Sequence, residues 1–300
     1  MNSLILGIAI SLAAVATIHV VAPYSRPTLI AHRGASWLAP EHTLEAYRLA
    51  LQHNADFVEP DLQMTKDGAL ICLHDQTLER TTDVAQVYPD RFRMKKDKKT
   101  WPVADFTWAE IQKLDAGSWK DAKFKGQKVP SFEEMIALVR GKAGIIPETK
   151  APDVYGKLGL DMEKAVMAVL RKHHLDAPGA DPKTPVIIQS FSADSLKVLR
   201  DKHGCKLPLV YLIDKGPLSA DDLKAIKMFA DGIGPSKAVV LDRPGIVSDA
   251  HDLGMSVTVW TFRSGKTGKF ANVRDEMQHF LRDLKVDAVF TDNPEEFPRD

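Results

Sequence analysis

Residues 55–75 read ADFVEPDLQMTKDGALICLHD, and the way they fold decides the architecture. Their first apolar run carries two acids, Glu59 and Asp61, on either side of Pro60. Proline cannot donate to a strand ladder and carboxylates avoid cores, so the run is either no strand or the end of one put to chemical use. In a strand, positions i and i+2 face the same way about 6.5–7 Å apart, so Glu59 and Asp61 would share one space with Pro60 turned away. A second apolar run, ALICLH (69–74), follows after only QMTKDG. A parallel neighbour needs a crossover of about a dozen residues, so this run is predicted to be the return arm of an antiparallel hairpin. It turns at Asp67 and Gly68 and carries His74 back toward the rim of the sheet.

Working outward, short apolar runs that read as strands recur at 28–33, 144–150, 185–191, 207–212, 230–236, 255–262 and 287–292. Most intervals have helical periodicity with start signals at Thr43, Ser131 and Ser219, the last two in capping-box patterns. Strands separated mainly by helices, eight in all with 55–62, predict an α/β fold, a (β/α)8 TIM barrel. An open doubly wound sheet is the competitor, and no Gly-x-Gly-x-x-Gly follows any strand to support a dinucleotide-binding version. Residues 80–130 are too long for an ordinary connection and are predicted to be an insertion after the second barrel strand. They hold the basic run RFRMKKDKK (91–99) and a capped helix from Thr107, and read as a solvated flap or, more sharply, a substrate-selecting lid.

The chain has 300 residues, 44% of them hydrophobic, enough for one large core. Lys+Arg and Asp+Glu balance at 40 each, which excludes a general attraction to nucleic acid or to an acidic surface. An anionic substrate must be caught locally. Cys72 and Cys205 lie far apart in no metal-type spacing and read as buried free thiols. From Leu4 to Ala22 the chain is apolar except for Ser11, Thr17 and His19, with no basic residue before it. Residues 1–22 are therefore expected to be a signal peptide or N-terminal membrane anchor, and 27–300 the barrel domain. The expected location is outside the cytoplasm, periplasmic or extracellular, with membrane association possible through residues 4–22.

In a barrel, strand ends form the mouth where active sites sit. The first strand ends in His32-Arg33-Gly34 and the third in Glu148-Thr149-Lys150. Three carboxylates converging there, Glu59, Asp61 and Glu148, would repel one another unless a cation sat among them. Hard oxygen donors point to Ca²⁺ or Mg²⁺. His32 and His74 suit general base and general acid roles, and Arg33 and Lys150 suit phosphate oxygens. Each residue alone has a plainer explanation, since a lone strand histidine is more often core. Their conjunction at successive strand ends favours phosphodiester cleavage.

The segments AHRGASWLAPEHTLEAY, ADFVEPDLQMTKDGALICLHDQTLERTTDV, LDAGSWKDAKFKGQKVPSFEE, PETKAP, IQSF, VWT and DAVFTDNPEEF, in that order, resemble the glycerophosphodiester phosphodiesterase family. The resemblance spans about residues 28–296 and is nearest to the bacterial periplasmic branch. It implies a distorted barrel of the phospholipase-C-like phosphodiesterase type that hydrolyses glycerophosphodiesters to sn-glycerol 3-phosphate and an alcohol. It also implies His32 and His74 as catalytic, Glu59, Asp61 and Glu148 as ligands of one divalent cation, with Ca²⁺ favoured and Mg²⁺ the alternative, and Arg33 and Lys150 as phosphate contacts. Trp260 matches an aromatic at the glycerol side, with barrel core as its plain alternative. Gln189 and Phe191 match a strand-end motif, and Asp75 and Arg80 match as supports of the His74 loop. No protein partner is implied. The alternatives are a lysophospholipase D or sphingomyelinase D-like lipid phosphodiesterase and, from another class, a non-catalytic phosphoglycerol-binding barrel.

Overall fold

The computed structural model describes residues 24–216 and 218–299, so the N-terminal segment expected to be a signal or anchor lies outside the described residues. Among the described residues no helix is long and apolar enough to cross a membrane. All eight expected strands form: β1 (Thr28–His32), β2 in two pieces (Phe57–Glu59 and Asp61–Met64), β3 in two pieces (Gly144–Ile145 and Glu148–Thr149), β4 (Ile188–Ser190), β5 (Leu209–Ile213), β6 (Gly232–Pro235), β7 (Ser256–Phe262) and β8 (Ala288–Thr291). Neighbours pair in parallel, and β8 returns to β1 from Thr28↔Ala288 to Ala31↔Thr291, which closes a (β/α)8 barrel.

Side-chain alternation along the strands divides the core into two layers. Ile30, Phe57, Ile146, Ile187, Val210 and Phe290 fill the barrel interior. Leu29, Ala31, Val58, Leu62 and Ile145 face the surrounding helices. The helices begin where the sequence places their caps. Thr43, Ser131 and Ser219 each accept from a first-turn N–H, and Glu134 and Asp222 complete capping boxes at the last two. Each such cap is worth about 1 kcal/mol.

Pro60 divides β2 without ending it, which corrects the expectation that the strand leaves the ladder there. Its carbonyl still accepts from the Glu148 N–H at 2.9 Å, so the proline costs a donor and not the pairing. What changes is the other neighbour. Residues 57–59 pair with β1, whereas residues 62–64 pair antiparallel with the return arm Leu70–Cys72, from Leu62↔Cys72 to Met64↔Leu70. The predicted hairpin is therefore present, with Gly68 at φ +82° in its turn.

The insertion is more than a solvated flap. Leu78, Val84, Trp101, Val103, Phe106, Ile111 and Leu114 bury one another against Ile71 and Leu73 of the return arm, forming a second small core. Only the basic run stands out from it, as an exposed ribbon pairing Arg93–Lys95 with Lys98–Thr100. The insertion is tied to the barrel mouth by Lys120 Nζ, which donates to the Ser36 carbonyl at 2.6 Å. Cys72 and Cys205 are both free and buried, as their spacing predicts.

Candidate active site

The inward parity that puts Phe57 in the barrel continues through Glu59 and Asp61, and register carries it across the sheet as His32↔Glu59 and Asp61↔Glu148. Glu59, Asp61 and Glu148 are 2%, 1% and 5% exposed. Each offers an oxygen within 4.8 Å of the other two. Lys150 Nζ lies 3.0 Å from Glu148 Oε1 and 3.6 Å from Asp61 Oδ1, and Arg33 Nε lies 3.2 Å from Asp61 Oδ2. The Arg33 backbone N–H donates to Glu59 Oε2 at 2.8 Å. Arg33 adopts φ +56° and Gly34 φ +80°, and a Cβ on Gly34 would lie 2.6 Å from the Ala46 carbonyl carbon, so only glycine permits this tight exit from β1.

Burial is the largest influence on all three carboxyls, and their neighbours then separate them. Burial and the Asp61 charge push Glu59 and Glu148 well above the usual carboxylate range. Asp61 is held well below it, against its own burial, by Lys150, Arg33 and His42. One firm anion beside two carboxyls that resist ionising is a donor set completed by a hard divalent cation, so these residues fit such an ion. His42 supports the set from behind. Its Nε2 is 2.9 Å from Asp61 Oδ2 and its Nδ1 2.8 Å from the Tyr47 hydroxyl. Such partners orient ligands and tune their basicity.

Both histidines are held by carboxylates. His32 Nδ1 is 2.6 Å from Asp292 Oδ1, and Asp292 also pairs with Arg263. Burial and then the Arg33 charge lower the His32 pKa, while Asp292 opposes them. His74 Nδ1 is 2.6 Å from Asp75 Oδ1, and Asp75 pairs with Arg80. Arg80 donates onward to Glu41 at 2.7 and 3.0 Å, and Arg33 Nη1 reaches the same carboxylate at 3.0 Å. Despite burial, Glu41 is held at about 2 by these guanidinium groups. Glu41 thus joins the His74 arm to the carboxylate cluster. The His74 carbonyl itself accepts from Gln63 Nε2 at 2.7 Å, and the Tyr155 hydroxyl donates to Gln63 Oε1 at 2.6 Å.

His32, Arg33, Glu59, Asp61, His74, Glu148, Lys150 and Trp260, the catalytic, metal and substrate candidates from the sequence, line one cavity of about 110 Å³, with Asp75 and Arg80 outside it behind His74. Its remaining wall is largely apolar, with Phe191, Leu212 and Phe290 around Gln189. Trp260 packs against the barrel-interior cluster and also lines the cavity. Its indole N–H donates to the Gly234 carbonyl at 2.7 Å, and its ring meets Phe191 edge-to-face at 5.5 Å on the cavity wall. The residues the sequence reading passed over are the supports Glu41, His42, Gln63 and Asp292. Asp292 carried a signal. Once β8 closes on β1, Ala31↔Thr291 puts the next pair, His32 and Asp292, side by side.

Residues 32–296 match the sequence model of the Glycerophosphoryl diester phosphodiesterase family. The chain is 37% identical over 279 residues to a glycerophosphodiester phosphodiesterase of Bacillus subtilis, covering 89% of this chain and 84% of that one. It is 30% identical to a protein of the same name from Haemophilus influenzae, covering 89% and 87%. A crystal structure of the glycerophosphodiester phosphodiesterase from Agrobacterium tumefaciens is similar at TM-score 0.66 and 28% identity, over 90% of this chain and 98% of that one. An Oleispira antarctica phosphodiesterase solved with the product sn-glycerol-3-phosphate shares the fold at TM-score 0.72 and 24% identity, over 90% and 95%. A closed barrel with this cavity, matched over nearly its whole described length, belongs to the glycerophosphoryl diester phosphodiesterase family.

Proposed function

We propose that this chain hydrolyses glycerophosphodiesters to sn-glycerol 3-phosphate and an alcohol. The observation that carries the reading is the convergence, in one cavity, of three buried carboxylates, two cations and two carboxylate-held imidazoles. Glu59, Asp61 and Glu148 would hold the divalent cation, which when bound supplies positive charge at the phosphoryl group and eases ionisation of the attacking water or glycerol hydroxyl. Ca²⁺ is favoured over Mg²⁺. That preference rests on the family resemblance, since three carboxylates with oxygens within 4.8 Å of one another suit a hard cation of either size.

Arg33 and Lys150 hold the non-bridging phosphoryl oxygens. His32, kept neutral by burial and with Nδ1 turned to Asp292, takes at Nε2 the proton of the nucleophile, which is either water or the glycerol 2-hydroxyl, the second route giving a cyclic phosphate that water then opens. His74, braced by Asp75, gives a proton to the departing alkoxide as the phosphorus–oxygen bond breaks. The apolar run at residues 4–22 supports export as a further part of the proposal, with cleaved signal or retained anchor read from cell fractionation of the full chain.

The test is release of sn-glycerol 3-phosphate from glycerophosphocholine by chelated protein, with Ca²⁺ or Mg²⁺ added back. Activity should vanish on chelation and return best with Ca²⁺. His32→Ala and His74→Ala should each lower the rate at least about a hundredfold, the usual scale of acid–base catalysis. Full activity after chelation, or unchanged turnover in either variant, would remove the corresponding role.

A further inference from the structure

Gln189 stands apart from the rest of the cavity. It is 2% exposed on β4, and register sets it beside Glu148 on the inward side. Its backbone is satisfied, since its N–H donates to the Pro147 carbonyl at 3.0 Å. Its side-chain oxygen is buried without a hydrogen-bond partner. Such an orphan carries a desolvation penalty that a leucine or methionine at this site would avoid. The cavity would accept that replacement, because Phe191, Leu212, Trp260 and Phe290 line it too. A buried polar group kept unpaired in a binding cavity is a group whose partner arrives with the ligand.

We propose that Gln189 hydrogen-bonds a hydroxyl of the glycerol moiety and so makes the site selective for diesters that carry it. The inference rests on the proposed glycerophosphodiesterase activity. The chemistry of the partner follows from what is already provided. Phosphoryl oxygens only accept, and Arg33 and Lys150 supply their donors. A carboxamide oxygen needs a donor, and a hydroxyl, being donor and acceptor together, matches the carboxamide in either orientation. The neighbouring rings cover the carbon skeleton while the amide reads the oxygen. A site built to bond a hydroxyl discriminates strongly against an analogue lacking it, because its own polar group is then left unpaired.

The experiment is a cycle of wild type and Gln189→Met against glycerophosphocholine and its 1-deoxy and 2-deoxy analogues, with Ca²⁺ affinity measured calorimetrically on both proteins. Wild type should prefer glycerophosphocholine over at least one deoxy analogue by tenfold or more in kcat/KM, and Gln189→Met should lose that preference with Ca²⁺ affinity within threefold. A wild type that hydrolyses both deoxy analogues as well as the parent overturns the inference whether or not the variant folds. So does a variant that keeps the preference, and so does one with weakened Ca²⁺ binding, which would make Gln189 a metal ligand. A wild type inactive on glycerophosphocholine would instead overturn the activity itself.

Discussion

Replacing Asp292 by asparagine removes a charge and almost no volume, so it isolates what the carboxylate does for His32. The bond between His32 Nδ1 and Asp292 Oδ1 is 2.6 Å long, and the Asp292 side chain is 1% exposed. A hydrogen bond to a charged group in such a setting is worth about 1.5–3 kcal/mol. Its loss should lower kcat/KM by about 10- to 150-fold. The pH profile carries the sharper signature. A base must be unprotonated, so the acid limb of kcat/KM marks the His32 pKa. Burial and Arg33 already push that pKa down, and the Asp292 charge is what raises it. Without the charge it falls further, so the acid limb should move to lower pH while the plateau drops. The assay is kcat/KM for glycerophosphocholine from pH 4.5 to 9, with thermal unfolding as the folding control. A plateau within threefold of wild type, or an acid limb that stays put or moves up, would refute the pairing of Asp292 with a His32 base.

Three more outcomes follow from the charges around the cavity. Glu41 falls from an ordinary 4.5 to about 2 in the folded protein. A depressed folded pKa stabilises above the unfolded value and the contribution is lost as pH falls through the folded one, so Glu41→Gln should cost about 3 kcal/mol at pH 7. The difference from wild type in urea unfolding should shrink to less than half by pH 3, and a difference independent of pH would show that the guanidinium pairing contributes nothing. Glu59 and Glu148 are pushed up without a cation, so binding Ca²⁺ at neutral pH should release protons and weaken as pH falls. Calorimetry in buffers of different ionisation enthalpy measures this. Asp61→Asn should abolish binding, and an affinity within threefold of wild type would exclude Asp61 as a ligand.

The strands, the hairpin and seven of the eight cavity residues were legible because each rests on local spacing: alternation within a strand, an Asp-Gly turn, a strand-end pair; Trp260 came from the family resemblance alone. The supports were not, because each depends on contacts that close only in three dimensions. His32 and Asp292 are 260 residues apart and meet only when the barrel shuts. Glu41 gathers Arg33 and Arg80 across two loops whose approach no periodicity encodes. His42 reaches Asp61 from a left-handed backbone at φ +61°, which a histidine seldom adopts and spacing cannot announce. The insertion looked solvated because its lysines dominate residues 91–99, while its core borrows Ile71 and Leu73 from the return arm.

Pro60 shows how one residue can mislead locally and still be accommodated by the fold. It and Pro147 lie on adjacent strands at one level of the barrel, their carbonyls accepting from Glu148 and Gln189 in turn. Each lacks a donor, so this level of the ladder is held by fewer bonds than the levels below it. At that level β2 parts from β1 and takes up the return arm, whose next residues end in His74. β1 ends at His32 opposite Glu59 and turns away at Arg33 and Gly34, so beyond Glu59 that side of β2 is an open edge for the return arm. The same step keeps Glu59 and Asp61 on one face, because the inward parity runs through Pro60 unbroken. The proline that argues against a strand at 57–63 is therefore compatible with one strand that presents two carboxylates and receives the arm carrying the second histidine.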